Sequence, residues 1–493
     1  MYEDWLANPS PLFASQSQLF LERGSSLDIK LDSFVPMSVN DVHHLILTSA
    51  SASCKLDPIP TWLLKRCPSE ISPVITKMIN LSFQDCHFPG SWKIAHVNPL
   101  LKRSGLDAEF PIFRQVSNLS FVSKTTEKAA VNQLFAHCES FALLPTNQSA
   151  YRKFHSTETA LLRVQSDILM SMDGQEVTLL ILLDLSAAFD TIDHKILLDI
   201  LDNDFGIIGN AKEWIKSFLR KRQQHVLVED EISKPKQLDC GVPQGSCLGP
   251  VLFLLYASGL FQVVNKHLPT AHAYADDSQI YLSFRPHSSA SQDLAVSAIE
   301  SCVADVRAWL VSHRLMFNDT KTELLIIGSK HQLSKVSIDS IKVGDSQIKP
   351  SEAVRNLGSW FDSHMNMNLQ VGKICSKAFY GLYNIRQIRK FLSPESTKIL
   401  VHAFVTCHLD YCNSLLHGIS QCQINRLQKV LNSAARIITL TPKFQHITPV
   451  LLQLHWLPIN FRIQFKIALF VYKSLNGTAP AYLKDLLKPQ SQP

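Results

Sequence analysis

Asp184 ends the apolar run VTLLILLDL, and Asp276 and Asp277 stand side by side 92 residues later within AHAYADDSQIYLSF. Carboxylates at strand ends offer hard oxygen donors, which suit Mg²⁺ held by one or two side chains, substrate phosphates and water. Two such ions ~3.5–4 Å apart clamp the attacking and leaving oxygens of an in-line phosphoryl transfer. Taken singly, the same residues are a helix cap and a solvated turn, so the chemistry depends on their being brought together. Between them lies GVPQGSCLGPVLFLLY. Its Gly241, Gly245 and Gly249 let backbone approach a flat ligand, and Gln244 offers both a donor and an acceptor. Lys321 follows in NDTKTE. The order of aspartate strand, PQG loop, YADD hairpin, helix and lysine is more specific than any one piece.

The elements that must position these groups are legible from local pattern. VTLLILL is an apolar run rich in β-branched residues, as in a strand buried on both faces. AHAYADDSQIYLSF reads as two strands around a tight turn at Asp276 and Asp277. Leu294, Ala295, Ile299, Cys302, Val303, Val306, Trp309 and Leu310 recur at helical spacing, predicting a helix over 294–310. ELLIIG predicts a further strand, and 336–350 a hairpin through Val343, Gly344 and Asp345. Upstream, HVNPLLK reads as a strand, SNLSFVSKTTEKAAVNQLFAHC as a capped helix, and TNQSAYRKFHSTET as a polar loop concentrating Arg152, Lys153 and His155. The PQG loop runs into an apolar helix or strand.

At 493 residues, 46% hydrophobic and 18% charged, the chain has ample apolar surface for a core and lacks the composition of a disordered segment. No uncharged apolar stretch of ~18 residues occurs, and MYEDWLANPS has neither a basic nor an apolar leader region. No membrane partner is therefore expected. Eleven cysteines without CxxC pairs read as buried reduced thiols of an intracellular protein. The set His402, Cys407, His408, Cys412, His417 and Cys422 matches no closed zinc spacing and reads as helical core instead. The net charge of +6 is uneven. From Lys373 onward 15 Lys and Arg face 3 Asp and Glu, a net +12 against −6 for the rest. A basic C-terminal segment beside an acidic body suits a polyanionic partner.

LLDLSAAFDTIDH, GVPQGSCLGPVLF, YADDSQIY, RLMFNDTKTELLIIG and VRNLGSWFDSHM, in that order, closely resemble the five palm motifs of reverse transcriptases from non-LTR (LINE-type) retrotransposons. Jockey and chicken-repeat lineages are the most similar. Upstream and downstream pieces extend the resemblance from about residue 50 to 490. It implies an α+β right-hand polymerase fold with fingers, an antiparallel-sheet palm and a helical thumb. The expected division is an N-terminal extension at 1–95, fingers at 96–176, palm at 177–370 and a basic thumb at 371–493.

The resemblance further implies an RNA-directed DNA polymerase that extends a DNA primer on an RNA template with deoxynucleoside triphosphates, using Mg²⁺ or, in substitution, Mn²⁺. Asp184, Asp276 and Asp277 would be the metal carboxylates. Lys321 would donate a proton to pyrophosphate or contact phosphate. Phe189 would lie under the sugar and reject a 2′-hydroxyl, and Gln244 and Gly245 would pack on nucleotide and template. Arg114 and Arg152 would touch triphosphate or template. Asp190, Asp193 and His194 are structural in this pattern. Lys373, Lys377, Arg386, Arg389 and Lys390 would grip phosphates from the thumb. Gln115 replaces the family's proline and Phe154 its glycine, which predicts a distorted finger loop. No apurinic-type endonuclease motif is present, so a truncated copy or a polymerase half is expected. The alternative is an inactive relic that keeps only nucleic-acid binding; a viral RNA-dependent RNA polymerase fits less well, lacking a reason for Phe189. Nucleus or cytoplasm is the expected location. Host, target and oligomeric state are not encoded in these motifs.

Overall fold

The computed structural model describes residues 29–51, 54–101, 113–186 and 188–488. In chain order its strands are β1 (Ile94–Leu101), β2 (Phe113–Asn118), β3 (Val177–Leu183), β4 (Arg222–Val228), β5 (Glu231–Ile232), β6 (Lys236–Leu238), β7 (Thr270–Tyr274), β8 (Asp277–Phe284), β9 (Glu323–Ile327), β10 (Ile341–Val343), β11 (Ser346–Ile348), β12 (Pro350–Ser351), β13 (Ala353–Asn356) and β14 (Ser359–Asp362). The chain folds as two compact interleaved units. Of the described residues, one unit draws on those between 29 and 145, 185 and 263, and 305 and 317; the other on those between 146 and 184, 264 and 304, and 318 and 488.

In the first unit the sheet order is β2-β1-β4-β5, with β6 on β4. β1 and β4 run parallel and the remaining pairs antiparallel. Trp214, Phe218 and Phe88 form its buried aromatic centre. Phe88 meets Trp214 and Phe218 edge-on, with centroids 5.4 and 5.1 Å apart, a geometry that suits the ring quadrupoles. Ser120 caps the helix Phe121–Ser140 by accepting from Ser123 N, as the SNLS signal predicts. The PQG loop feeds the helix Gly249–Tyr256, whose side chains are apolar and nearly all buried.

In the second unit five strands stand in the order β12-β9-β3-β8-β7. β3 is flanked by β8 and β9, both antiparallel. Six of its seven residues are buried, matching the two-sided burial read from its composition. β12 departs from an all-antiparallel palm, since its two residues pair parallel with β9. The helix Thr157–Asp173 lays Leu161, Val164 and Ile168 into one core with Leu180, Leu325 and Tyr281 of the sheet. That core continues into the C-terminal helices Asn368–Ile388, Gln421–Thr439 and Ile459–Leu475.

The expected hairpin at 336–350 is present as β10 and β11. The helix expected over 294–310 spans Ser289–Ser312, but Leu294 is 72% exposed, because it lies off the face that Gln292, Ala295 and Ile299 bury. The cysteines also depart from expectation. All eleven are free thiols, yet Cys67, Cys407 and Cys422 are exposed, whereas Cys138, Cys302, Cys375 and Cys412 are buried.

Candidate active site

β3 is central in its sheet, and Asp184 follows its last residue. β7 and β8 close on a two-residue loop, Ala275 and Asp276, with Tyr274 paired to Asp277. Because β8 pairs with β3 through Ser278 and Leu183, the turn and Asp184 lie at the same end of neighbouring strands. Tertiary pairing thus unites carboxylates that are far apart in sequence. Asp277 is the first residue of β8, so the turn lies one residue earlier than the sequence suggested.

The charges sense one another. Burial lifts the Asp277 carboxyl, the Asp276 and Asp184 carboxylates lift it further, and Lys321 opposes them, leaving it pushed up to about 6. Lys321 lies in the short turn Asp319–Lys321 and is brought beside Asp184 by backbone: Asn318 N donates to Asp184 O at 2.8 Å, and Lys321 N to Asn318 O at 2.9 Å. Its Nζ donates to Asp184 Oδ2 at 2.8 Å. The pair is partly exposed, so it holds position more than it stabilises. Asp184, Asp277, Lys321, Glu323 and Arg355 line an open cavity of about 470 Å³.

Carboxylate oxygens are the donors that a hard divalent cation takes, and Asp184, Asp276 and Asp277 carry them. Among the described residues no group of three His, Cys, Asp or Glu side chains is gathered as a metal cage. Mg²⁺ sites that share their ligands with substrate phosphates and water require none.

Within the first unit, Phe189, Gln244 and Gly245 are brought together. Val242 N donates to Phe189 O and Gly241 N to Ile192 O, both at 2.8 Å, joining the AFDTIDH and PQG segments. Phe189 is half-buried against Phe253, with centroids 4.9 Å apart. Gln244 Nε2 reaches both carboxylate oxygens of Asp190, at 3.1 and 3.0 Å. Burial raises the Asp190 pKa and the Gln244 bond opposes that. Asp190 therefore orients the side chain that the sequence singled out. Asp193 caps the next helix through Lys195 N and Ile196 N, and His194 Nε2 lies 2.8 Å from Gly241 O. Gly245 sits at φ 126°, where a Cβ would fall 2.3 Å from Ser117 O. No other residue fits that approach without backbone movement.

The arginines differ in their surroundings. Arg152 Nη1 donates to Gln148 O at 3.1 Å, so it braces its own loop. Arg114 stands in β2 opposite Leu100, and its side chain lies outside the described residues. Arg389 is spent inside the protein: its guanidinium donates to Ile437 O, Ile438 O and Leu392 O, capping the end of the helix Gln421–Thr439. Lys373, Lys377, Arg386 and Lys390 remain exposed, interleaved with exposed Phe379, Tyr380 and Tyr383. At Phe154 the backbone holds φ 67°, the region a glycine enters freely, and Lys153 Nζ lies 5.0 Å over the ring. The side chain thus carries strain of about 1–2 kcal/mol where glycine would carry none.

Sequence reasoning missed Glu127, Gln148 and His272. His272 on β7 is fully buried, and its Nε2 lies 2.9 Å from Ser149 Oγ, which also meets Tyr482 Oη at 2.8 Å. Burial holds it far below the ordinary histidine range, at about 3. Below pH ~6.5 the unfolded chain takes up a proton that the folded chain refuses, so stability falls on acidification. Its share of the loss is on the order of 2 kcal/mol between pH ~6.5 and ~5. Urea unfolding across that window measures this. A His272→Gln variant is expected to show a shallower slope, and an unchanged slope contradicts the assignment.

Residues 110–361, just over half of the chain, match the family described as reverse transcriptase (RNA-dependent DNA polymerase). The chain belongs to the reverse transcriptase family. It is 25% identical over 456 residues to the "Probable RNA-directed DNA polymerase from transposon BS" of Drosophila melanogaster, covering 88% of this chain and 48% of the relative. The corresponding polymerase from transposon X-element is 23% identical over 436 residues, covering 86% and 46%. The RNA-directed DNA polymerase from mobile element jockey of the same fly is 24% identical over 335 residues, covering 64% and 34%. The chain thus spans about half the length, or less, of these curated relatives. Among solved structures, an apo telomerase from Candida tropicalis, truncated from its C-terminal domain, aligns over 56% of each chain at 14% identity, with a TM-score of 0.36. The LINE-type resemblance carried by the motifs agrees with these reverse transcriptase relatives, and the fold class is α+β. Among the described residues no helix is long and apolar enough to cross a membrane.

Proposed function

We propose that this reverse transcriptase extends a DNA primer on an RNA template, taking deoxynucleoside triphosphates and Mg²⁺, with Mn²⁺ as a substitute. The observation that carries this reading is the end of the β3, β7 and β8 sheet, where strand pairing sets Asp184, Asp276 and Asp277 at one end and where burial, then the Asp276 and Asp184 charges, lift Asp277. Divalent cations bound there would activate the primer 3′-hydroxyl and neutralise the triphosphate. The three carboxylates hold and orient that charge. Lys321 pairs with Asp184 and would turn to phosphate, or to the leaving pyrophosphate, once a cation neutralises its partner. Gln244, steadied by Asp190, and Gly245 would pack on nucleotide and template, and Phe189 would reject the 2′-hydroxyl. In this reading 96–176 serve as fingers, 177–370 as palm and 371–493 as thumb, with work in nucleus or cytoplasm.

Primer extension tests the proposal. RNA-templated incorporation of deoxynucleotides in preference to ribonucleotides is expected; heteroduplex binding without extension would favour the relic. Exposed Lys373, Lys377, Arg386 and Lys390 offer about four phosphate contacts, so affinity is expected to fall on the order of 10²-fold between about 50 and about 200 mM salt. Filter binding that shows no change over this range removes the basic helix from the interface.

A further inference from the structure

We infer that Gln148 is a positioning residue that clamps the backbone of the YADD turn. The inference rests on the polymerase reading for its effect on rate, but not for its geometry. Asn147 to Ser149 run along the free edge of β7. Ala273 N donates to Asn147 O and Ser149 N to Ala273 O, both at 2.9 Å, with a parallel bridge between Gln148 and Ala273. Asn147 Nδ2 adds a bond to Ala271 O at 2.9 Å.

This backbone pairing stops where the chain turns at Ala275, and there the Gln148 side chain takes over. Its Oε1 accepts from Ala275 N at 3.2 Å and from its own neighbour Ala150 N at 3.1 Å, while Nε2 points to Ala275 O at 3.5 Å. The amide thus reaches both polar groups of the residue that immediately precedes Asp276. Gln148 is 2% exposed, and Arg152 bonds to its carbonyl.

Ala275 needs such a hold. It sits at φ 59°, the left-handed region that residues with a Cβ disfavour. Two-residue hairpin loops call for positive φ and usually place glycine or asparagine there. A clamp that fixes the Ala275 peptide fixes the direction in which Asp276 leaves the turn.

The test compares wild type, Gln148→Ala, Gln148→Met and the double variant Gln148→Ala/Ala275→Gly. Hydrogen exchange of the peptide spanning the turn is expected to speed up in both single variants while other core peptides stay protected. Unchanged exchange at the turn overturns the clamp, whatever the activity. In primer extension with Mn²⁺, Gln148→Ala is expected to lose about 10–100-fold in rate, the range for partners that orient metal ligands, and to need more Mn²⁺, with heteroduplex affinity kept. Ala275→Gly is expected to recover much of that loss, because glycine enters the left-handed region without a clamp. A double variant no better than the single overturns the positioning role. Gln148→Met keeps the side-chain volume, so it reports the lost hydrogen bonds even where alanine unfolds the chain. A wild type that extends no primer but shows the exchange effect defeats the polymerase reading and supports the clamp.

Discussion

Asp276→Asn abolishes primer extension, with an expected loss on the order of 10³-fold or more, while the protein stays folded and binds heteroduplex. Asparagine keeps the shape of the side chain, so the turn between β7 and β8 has no steric reason to move. What disappears is one negative charge beside Asp277, whose carboxyl burial and then the Asp276 and Asp184 charges push up to about 6. In the proposed reading that charge holds a divalent cation, and phosphoryl transfer depends on charge neutralisation more than on covalent steps. The substitution also relieves repulsion, so thermal stability should hold or rise, as when a strained functional site is disarmed. Extension at wild-type rate removes Asp276 from the metal set. A lower melting temperature assigns the lost activity to unfolding instead.

Glu127→Ala is expected to destabilise the first unit by about 3–5 kcal/mol, the range for breaking a buried charge arrangement from one side. Glu127 is fully buried in the helix Phe121–Ser140. Its Oε2 accepts from Cys247 N at 2.7 Å and Leu248 N at 3.1 Å, and Oε1 accepts from Ser123 Oγ at 2.9 Å. These amides close the PQG loop and lead into the helix Gly249–Tyr256, so the carboxylate holds the loop where its orphan N–H groups need an acceptor. Burial raises the Glu127 pKa, while the Arg222 charge and these bonds pull it back.

Arg222 is itself 1% exposed and lies 4.5 Å over the Phe218 ring. Burial lowers its pKa to about 10, with Glu127 opposing, so it stays charged at neutral pH. Alanine would leave that charge without its counterpart and two amides without an acceptor. Glu127→Gln keeps an acceptor and should lose less. Urea unfolding followed by Trp214 fluorescence reads the difference, and a loss below about 1 kcal/mol for Glu127→Ala would mean the carboxylate does not hold the loop.

Much of this protein was legible without coordinates. The two-sided burial of β3 follows from an uncharged run of Val, Ile, Leu and Thr, and the β10–β11 hairpin from the Val343-Gly344-Asp345 turn. The cap at Ser120 follows from the SNLS signal. The order of the Asp184, PQG, YADD and Lys321 motifs was enough to nominate the site and its chemistry. All of these signals are local, because strand alternation, helix period, capping and turn chemistry are each decided within a few residues.

What only the tertiary structure decided is which distant groups answer one another. Lys321 reaches Asp184 across 137 residues, Glu127 meets Cys247 across 120, and Gln148 meets Ala275 across 127. No periodicity records such pairings. Arg389 looked like a phosphate contact from its charge, and Glu127 and Gln148 looked like ordinary polar residues in a helix and a loop. Partners decided otherwise: a polar group drawn wholly or partly out of water must find a partner inside the protein, and its partner then defines its role. The sequence alone determined where the carboxylates stand and which strands carry them. Packing decided what holds those strand ends in place, because satisfying buried charge and backbone is a property of the whole fold.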